Sequence, residues 1–287
     1  MKSQRNYPRA YSFEFFPPKS KEGIEKLHKT SETLAALNPC FFSVTFGAGG
    51  STRERTFEAV NDIKARTDID VAPHLSCIGS TRENIRHILE TYIANNIRHI
   101  VALRGDMPSG MREAGEFHYA NELVEFIRNE TGDHFFIEVA AYPEFHPQAQ
   151  SAAEDLANFK NKVDAGADAA LTQYFYSADA YFAFVDDCEK LGIDIPIVPG
   201  IMPITNYIQL ARFSDSCGAE IPRWIRKRLA SLQDDPQSIR KFGEEVVTEM
   251  SRKLLEGGAP GLHFYSMNQA APSLAIWNNL GISTDKK

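Results

Sequence analysis

Cysteine is scarce in this chain: four in 287 residues, at positions 40, 77, 188 and 217. No two stand at C-x-x-C spacing, which excludes a zinc knuckle or a thioredoxin-type redox pair and leaves free thiols as the expectation. Long apolar runs are also missing. None approaches the ~20 residues of a membrane span, and the start, Met1-Lys2-Ser3-Gln4-Arg5-Asn6, has no apolar signal-peptide core. A cytoplasmic protein with no membrane contact is expected. Basic excess is absent too: 31 Lys and Arg face 38 Asp and Glu, for a formal charge of −7. A diffuse pull on nucleic acid is thereby excluded, while a local site for an anionic ligand stays open. There is no G-x-S-x-G, no Walker loop and no metal triad. No low-complexity linker divides the chain, so residues 1–287 are expected to form one domain with no regulatory appendage.

What is present is an alternation of short apolar runs with amphipathic stretches, the pattern of βα units and a parallel sheet. The strand candidates are 11–16, 41–46, 71–77, 99–104, 135–140, 169–175, 195–201 and 261–266. Between them, apolar residues recur at helical spacing, as in Ile85, Ile88, Leu89, Tyr92 and Ile93. Three S-x-x-E boxes, at Ser51, Ser80 and Ser151, mark helix starts. Strands follow one another every 25–35 residues, except between Ile201 and Gly261, where extra helices are expected near 222–232 and 236–256. An open doubly wound sheet would carry G-x-G-x-x-G after its first strand, and here Phe16-Pro17-Pro18-Lys19 follows instead. The expected fold is therefore α/β, a (βα)8 barrel of the TIM type with extra helices between strands seven and eight. About 250 residues suffice for it.

Catalytic groups of such a barrel project from the C-terminal strand ends. The first strand offers Glu14 among Phe13, Phe15 and Phe16. Burial there raises a carboxyl pKa and suits a general acid; the alternative is a Glu paired with a buried cation. The second ends in Thr45-Phe46-Gly47-Ala48-Gly49-Gly50, whose glycines permit close backbone approach. The third carries His74, a core group or a ligand contact, with no second and third ligand for zinc. The fourth ends Arg104-Gly105-Asp106, either an internal ion pair or a grip on a polar ligand. Gly105–Gly115 is the loop expected to cover the site. Tyr142 and His146 follow strand five. Gln173, on strand six, has donor and acceptor for a heterocycle edge. Aromatics, one buried acid and amides together suit a bulky aromatic cofactor.

These motifs, Ser12-Phe13-Glu14-Phe15-Phe16-Pro17-Pro18, Val44-Thr45-Phe46-Gly47-Ala48, Ala72-Pro73-His74-Leu75, Leu103-Arg104-Gly105-Asp106, Tyr142-Pro143-Glu144-Phe145-His146-Pro147, Lys162-Val163-Asp164-Ala165-Gly166-Ala167, Thr172-Gln173-Tyr174-Phe175, Pro199-Gly200-Ile201-Met202-Pro203 and His263-Phe264-Tyr265, resemble the 5,10-methylenetetrahydrofolate reductases over almost the whole chain. The resemblance implies an FAD-dependent barrel of the short bacterial type. Such an enzyme reduces 5,10-methylenetetrahydrofolate to 5-methyltetrahydrofolate with NADH or NADPH in ping-pong fashion, supplying methyl groups for methionine synthesis. It implies that Glu14 is the general acid and that Asp106 faces flavin and pterin. Thr45, Gln173, Gln209, Phe213, Tyr265 and Gln269 would meet the substrates. Thr45, Phe46, Ala48, His74, Arg104, Gly105, Asp106, Tyr119, Ala120, Tyr142, His146, Asp155, Asn158, Asn161, Lys162 and Ala167 would hold FAD, with Lys162 and the helix opened by Ser151 near the diphosphate. Asn161 and Gln269 stand where the family often has Arg. A homo-oligomer is expected by the same analogy. Two other readings stay open: a pterin-binding barrel methyltransferase, and a non-catalytic FAD- or folate-binding subunit.

Overall fold

Period-two alternation decides which way each strand faces. The computed structural model describes residues 1–46, 50–106, 115–233 and 235–283. In β1 (Ala10–Phe15), Phe13 packs outward on Trp277 of α10 (Ala270–Leu280), ring centroids 5.8 Å apart. Ser12 and Glu14 point the other way, into the ring of strands, where Ser12 meets His263. Two cores result. A large one lies between sheet and helices; a small one of Phe41, Ala72, Val101, Leu171 and Val198 fills the inside of the ring.

The strands that follow are β2 (Phe41–Val44), β3 (Asp70–Ser76), β4 (His99–Leu103), β5 (Phe136–Ala141), β6 (Ala169–Thr172), β7 (Ile197–Val198), β8 (Gly200–Ile201) and β9 (Gly261–Tyr265). All pair in parallel, in the order β7-β6-β5-β4-β3-β2-β1-β9-β8. The run expected as one strand over 195–201 is split at Pro199, which has no N–H to give a ladder. Its first half pairs with β6 and its second with β9, and the Pro199 carbonyl accepts the His263 N–H at 3.0 Å. The two halves act as one stave, so the ring has eight.

Gly200 permits that closure. A Cβ there would stand 2.2 Å from the Thr172 carbonyl oxygen and 2.7 Å from the Tyr265 ring. The Gly200 N–H instead donates to Thr172 Oγ1 at 2.9 Å, and the Tyr265 hydroxyl donates to the Thr172 carbonyl at 2.8 Å.

Helices α1 (Lys21–Ala35), α2 (Gly50–Arg66), α3 (Arg82–Ala94), α4 (Ala120–Thr131), α5 (Ala152–Asp164) and α6 (Ala178–Lys190) alternate with the strands. The expected extra helices, α7 (Tyr207–Cys217), α8 (Arg223–Ser231) and α9 (Pro236–Gly257), lie between β8 and β9. Of the S-x-x-E boxes at Ser80 and Ser151 one marks its start as expected, while the side chain of Ser51 in the third lies outside what is described. Ser151 caps α5, its Oγ accepting the Glu154 N–H at 3.2 Å, while Glu154 returns to the Gln150 N–H rather than to Ser151. Thr81, not Ser80, caps α3, because Ser80 is buried and bridged to Gly115. Helix α2 begins at Gly50, which puts Ser51 inside its first turn. Ile93, expected on the buried face of α3, is exposed at the last turn. Among the described residues no helix is long and apolar enough to cross a membrane, and the four thiols are free.

Candidate active site

Just past the strands' C-terminal ends, the chain opens into two adjoining cavities. One, of ≈ 380 Å³, has an apolar wall of Leu103, Leu171, Met202, Phe213, Tyr265 and Met267, with Glu14, His74 and Gln173 facing in. The other, of ≈ 460 Å³, is polar, with Arg104, Asp106, His146, Asp155, Asn158 and Lys162 on its wall. Leu103, Ala140 and Tyr142 line both and form the ridge between them.

Glu14 sits at the floor of the apolar cavity. Its Oε2 lies 3.3 Å from His74 Nε2 of β3 and 3.6 Å from His263 Nε2 of β9. Neither imidazole nitrogen has an aligned hydrogen-bond acceptor, so these are close polar contacts across the ring. His263 is anchored from behind, its Nδ1 2.7 Å from Ser12 Oγ. Burial pushes the Glu14 carboxyl up, but the two imidazoles outweigh it and hold the pKa at about 2. This overturns the expectation of a raised pKa. The flanking phenylalanines that suggested it point away: Phe13 and Phe15 belong to the outer core.

In the polar cavity, Arg104 and Asp106 do not pair with each other. The Arg104 guanidinium donates to Gln148 Oε1 and to the Gly105 carbonyl. Gly105 has φ +81°, and a Cβ would stand 2.9 Å from Ser76, so the backbone turns there with no side chain in the way. Lys162, on the last turn of α5, donates to the Ala140 carbonyl at 2.5 Å. Burial pushes its pKa down to about 8, opposed by Asp155. The Asp155 carboxylate accepts the His146 N–H at 2.9 Å, and His146 Nδ1 accepts the Gln148 N–H at 3.1 Å, which places the imidazole proton on Nε2. Burial lowers the His146 pKa.

The expected residues divide by position. Gly105, Tyr119, Ala120 and Tyr142 line the polar cavity with the charged groups already named. Gln173, Phe213 and Tyr265 line the apolar one. Thr45 is at the end of β2, its N–H donated to the Phe15 carbonyl at 2.9 Å, with Phe46 next to it. Asn161 lies exposed on α5, Ala167 is buried beyond it, and Gln209 is exposed on α7, none on either cavity wall. Gln269 precedes the first turn of α10 without capping it by its side chain. Ala48 and most of the Gly105–Gly115 loop lie outside the described residues. Sequence reasoning gave no role to Ser12, His263, Gln148 or Met267. Ser12 and His263 are 251 residues apart in the chain, and no local pattern joins them.

The family model described as methylenetetrahydrofolate reductase matches residues 2–281. The chain belongs to the methylenetetrahydrofolate reductase family. It is similar to the 5,10-methylenetetrahydrofolate reductase of Escherichia coli (strain K12), 43% identical over 94% of this chain and 90% of that one. The Zea mays protein named methylenetetrahydrofolate reductase (NADH) 1 is 41% identical over 97% of this chain but only 49% of its own length. Among solved structures, a Clostridium thermocellum protein described as binding two copies of 5-methyl-5,6,7,8-tetrahydrofolic acid shares the fold, with TM-score 0.67, 15% identity and 97% and 96% coverage. Family membership makes this chain an oxidoreductase built on a (βα)8 barrel.

Proposed function

We propose that this protein reduces 5,10-methylenetetrahydrofolate to 5-methyltetrahydrofolate, using FAD and a reduced nicotinamide nucleotide in two successive half-reactions. The observation that carries the reading is the pairing of the two cavities. An apolar, aromatic-walled space with an acid at its floor adjoins a polar one with cations and a helix N-terminus. The cavity walls fit FAD: Arg104 and Lys162 supply cations for a diphosphate, the first turn of α5 borders the space, and the Gly105 backbone lines it. When bound, the flavin accepts hydride from the nicotinamide nucleotide and gives it to the folate.

The chain's own residues do the rest. Glu14 gives a proton to the folate and promotes opening of its five-membered ring to an iminium. The reaction consumes one proton per turnover, and an ionised Glu14 must first receive it. Substrate seated over the cavity takes the remaining water from Glu14, which favours the neutral acid. Asp106, on the wall of the adjoining polar cavity, would turn a negative charge toward the developing iminium cation. Gln173 turns its Oε1 to the Tyr174 N–H at 3.0 Å, which leaves its amide NH2 to donate to a ligand. Phe213 and Tyr265, both on the wall of the apolar cavity, would flank a flat substrate, and the family resemblance alone assigns Thr45, Gln209 and Gln269 as further substrate contacts. With Gln269 in place of Arg, the glutamate tail of folate meets a neutral donor and binds more weakly. Family membership further supports a cytoplasmic homo-oligomer serving methionine synthesis, with NADH as reductant.

An absorbance spectrum with an anaerobic titration tests the reading. The purified protein is expected to be yellow, to bleach with NADH and to recover on adding methylenetetrahydrofolate. A colourless protein, or a flavin bleached by neither NADH nor NADPH, would overturn it.

A further inference from the structure

Past Glu14, β1 runs out of ladder partners on β9, yet its backbone stays held. The Glu14 carbonyl accepts the Ser266 N–H at 3.2 Å and the Ser266 hydroxyl at 2.5 Å. Phe16 donates its N–H to Asn268 Oδ1 at 3.0 Å, and its carbonyl accepts the Asn268 amide at 2.9 Å. The Asn268 side chain thus imitates one backbone residue and extends the β1–β9 pairing beyond Tyr265.

Asn268 is itself fixed. It is buried; its N–H donates to Ser266 Oγ at 3.2 Å, and its carbonyl accepts the Thr30 hydroxyl of α1 at 3.3 Å. Met267 and Asn268 both adopt left-handed backbone, φ +52° and +51°. Two such residues in a row persist only where their surroundings over-determine them. The turn presses the Asn268 amide on Phe16 and puts Met267 into the wall of the cavity that Glu14 faces.

We propose that Asn268 is a positioning residue for Glu14. By gripping Phe16 on the far side of the acid, with Ser266 holding the acid's own carbonyl, it sets the depth at which the carboxyl stands between His74, His263 and the substrate. The titratable side chains that face this carboxyl are His74 on β3 and His263 and Tyr265 on β9. Because Met267 lies between the two clamping residues, a ligand that pushes on it is felt at the end of β1. The kinetic consequence rests on the reductase reading; the geometric one does not.

Two variants of the flavin-loaded protein test this. Asn268→Gly keeps the left-handed turn accessible and removes the amide. Asn268→Asp keeps the shape but sets a carboxylate against the Phe16 carbonyl. Flavin reduction by NADH and reoxidation by methylenetetrahydrofolate are timed on the same sample. In both variants the ratio of reoxidation to reduction at saturating folate is expected to fall about tenfold or more, with half-saturation changed less than about twofold. The imidazole ¹⁵N signals of His74 and His263 are expected to move, because the carboxylate they face has moved. An unchanged ratio with unmoved imidazole signals would overturn the proposal. Should the wild-type protein not react at all, the reductase reading fails and the imidazole signals alone decide: moved signals support the positioning role, unmoved signals refute it.

Discussion

Glu14 shows how far a residue's neighbours in sequence differ from its neighbours in space. Phe13 and Phe15 flank it in the chain, but alternation sends them to the outer core. Its real environment is two imidazoles brought from β3 and β9. That a carboxyl faces the cavity was legible, because a lone carboxylate in an apolar strand is conspicuous. The direction of its pKa was not, because it depends on residues 60 and 249 positions away. A pH measurement checks the structural answer. The folded carboxyl is held at about 2 against an ordinary 4.5. Ionised Glu14 therefore favours the fold above pH 4.5, and that contribution fades as pH falls from 4.5 toward 2. It amounts to on the order of 3 kcal/mol. Glu14→Gln lacks it, so the stability gap between wild type and variant should narrow across that window in denaturant titrations. A gap that stays constant there would mean the imidazoles do not hold the carboxylate. In the same variant, reduction of flavin by NADH should persist, while reoxidation by methylenetetrahydrofolate falls at least about 100-fold.

At the scale of elements, the sequence displayed the strands well and their ends poorly. Apolar runs located every stave. Several runs continue past the strand proper, however: Thr45, Arg104 and Gln173 follow β2, β4 and β6, each keeping one last backbone hydrogen bond to a neighbouring stave. They lie at the last bond of each ladder, beyond which the chain leaves the sheet. The capping boxes misled for a related reason. Ser80 has the right spacing, but its burial against Gly115 hands the cap to Thr81. Closure of the ring was the least visible step, since it rests on Gly200, Thr172 and Tyr265 from three staves. Gly200→Ala puts a methyl 2.2 Å from the Thr172 oxygen, and backbone cannot yield as a side-chain tip can. The variant is expected to lose roughly 1–3 kcal/mol and to weaken substrate binding as well, because Tyr265 must shift from the cavity wall. Thermal melts and folate titration read the two effects; a variant as stable as wild type would show that β8 has room to move.

For the whole molecule, the two cavities overlap on one arc of the ring, and the apolar one alone reaches the other arc. The apolar one runs from β4, β5 and β6 across to β1, β3 and β9, whereas the polar one is built on the ends of β4 and β5 and on α5. A ligand lying across the Tyr142 ridge touches both arcs of the barrel, so its binding energy is felt by the chain as one body. Continuous pairing around the sheet, with α9 packed on α10, gives no seam at which one arc could melt alone. Calorimetry should accordingly show a single transition. FAD at about 100 times its dissociation constant should add about 2.7 kcal/mol, and on a chain of this size that raises the midpoint by on the order of 5 °C. Lys162 lets the same measurement report on the cofactor's phosphates. Its pKa stands near 8 without a ligand, and an anion beside it would restore the charge, so the shift should shrink as pH rises through that value. A shift independent of pH would place the diphosphate away from Lys162, and two separate transitions would show that the arcs fold independently.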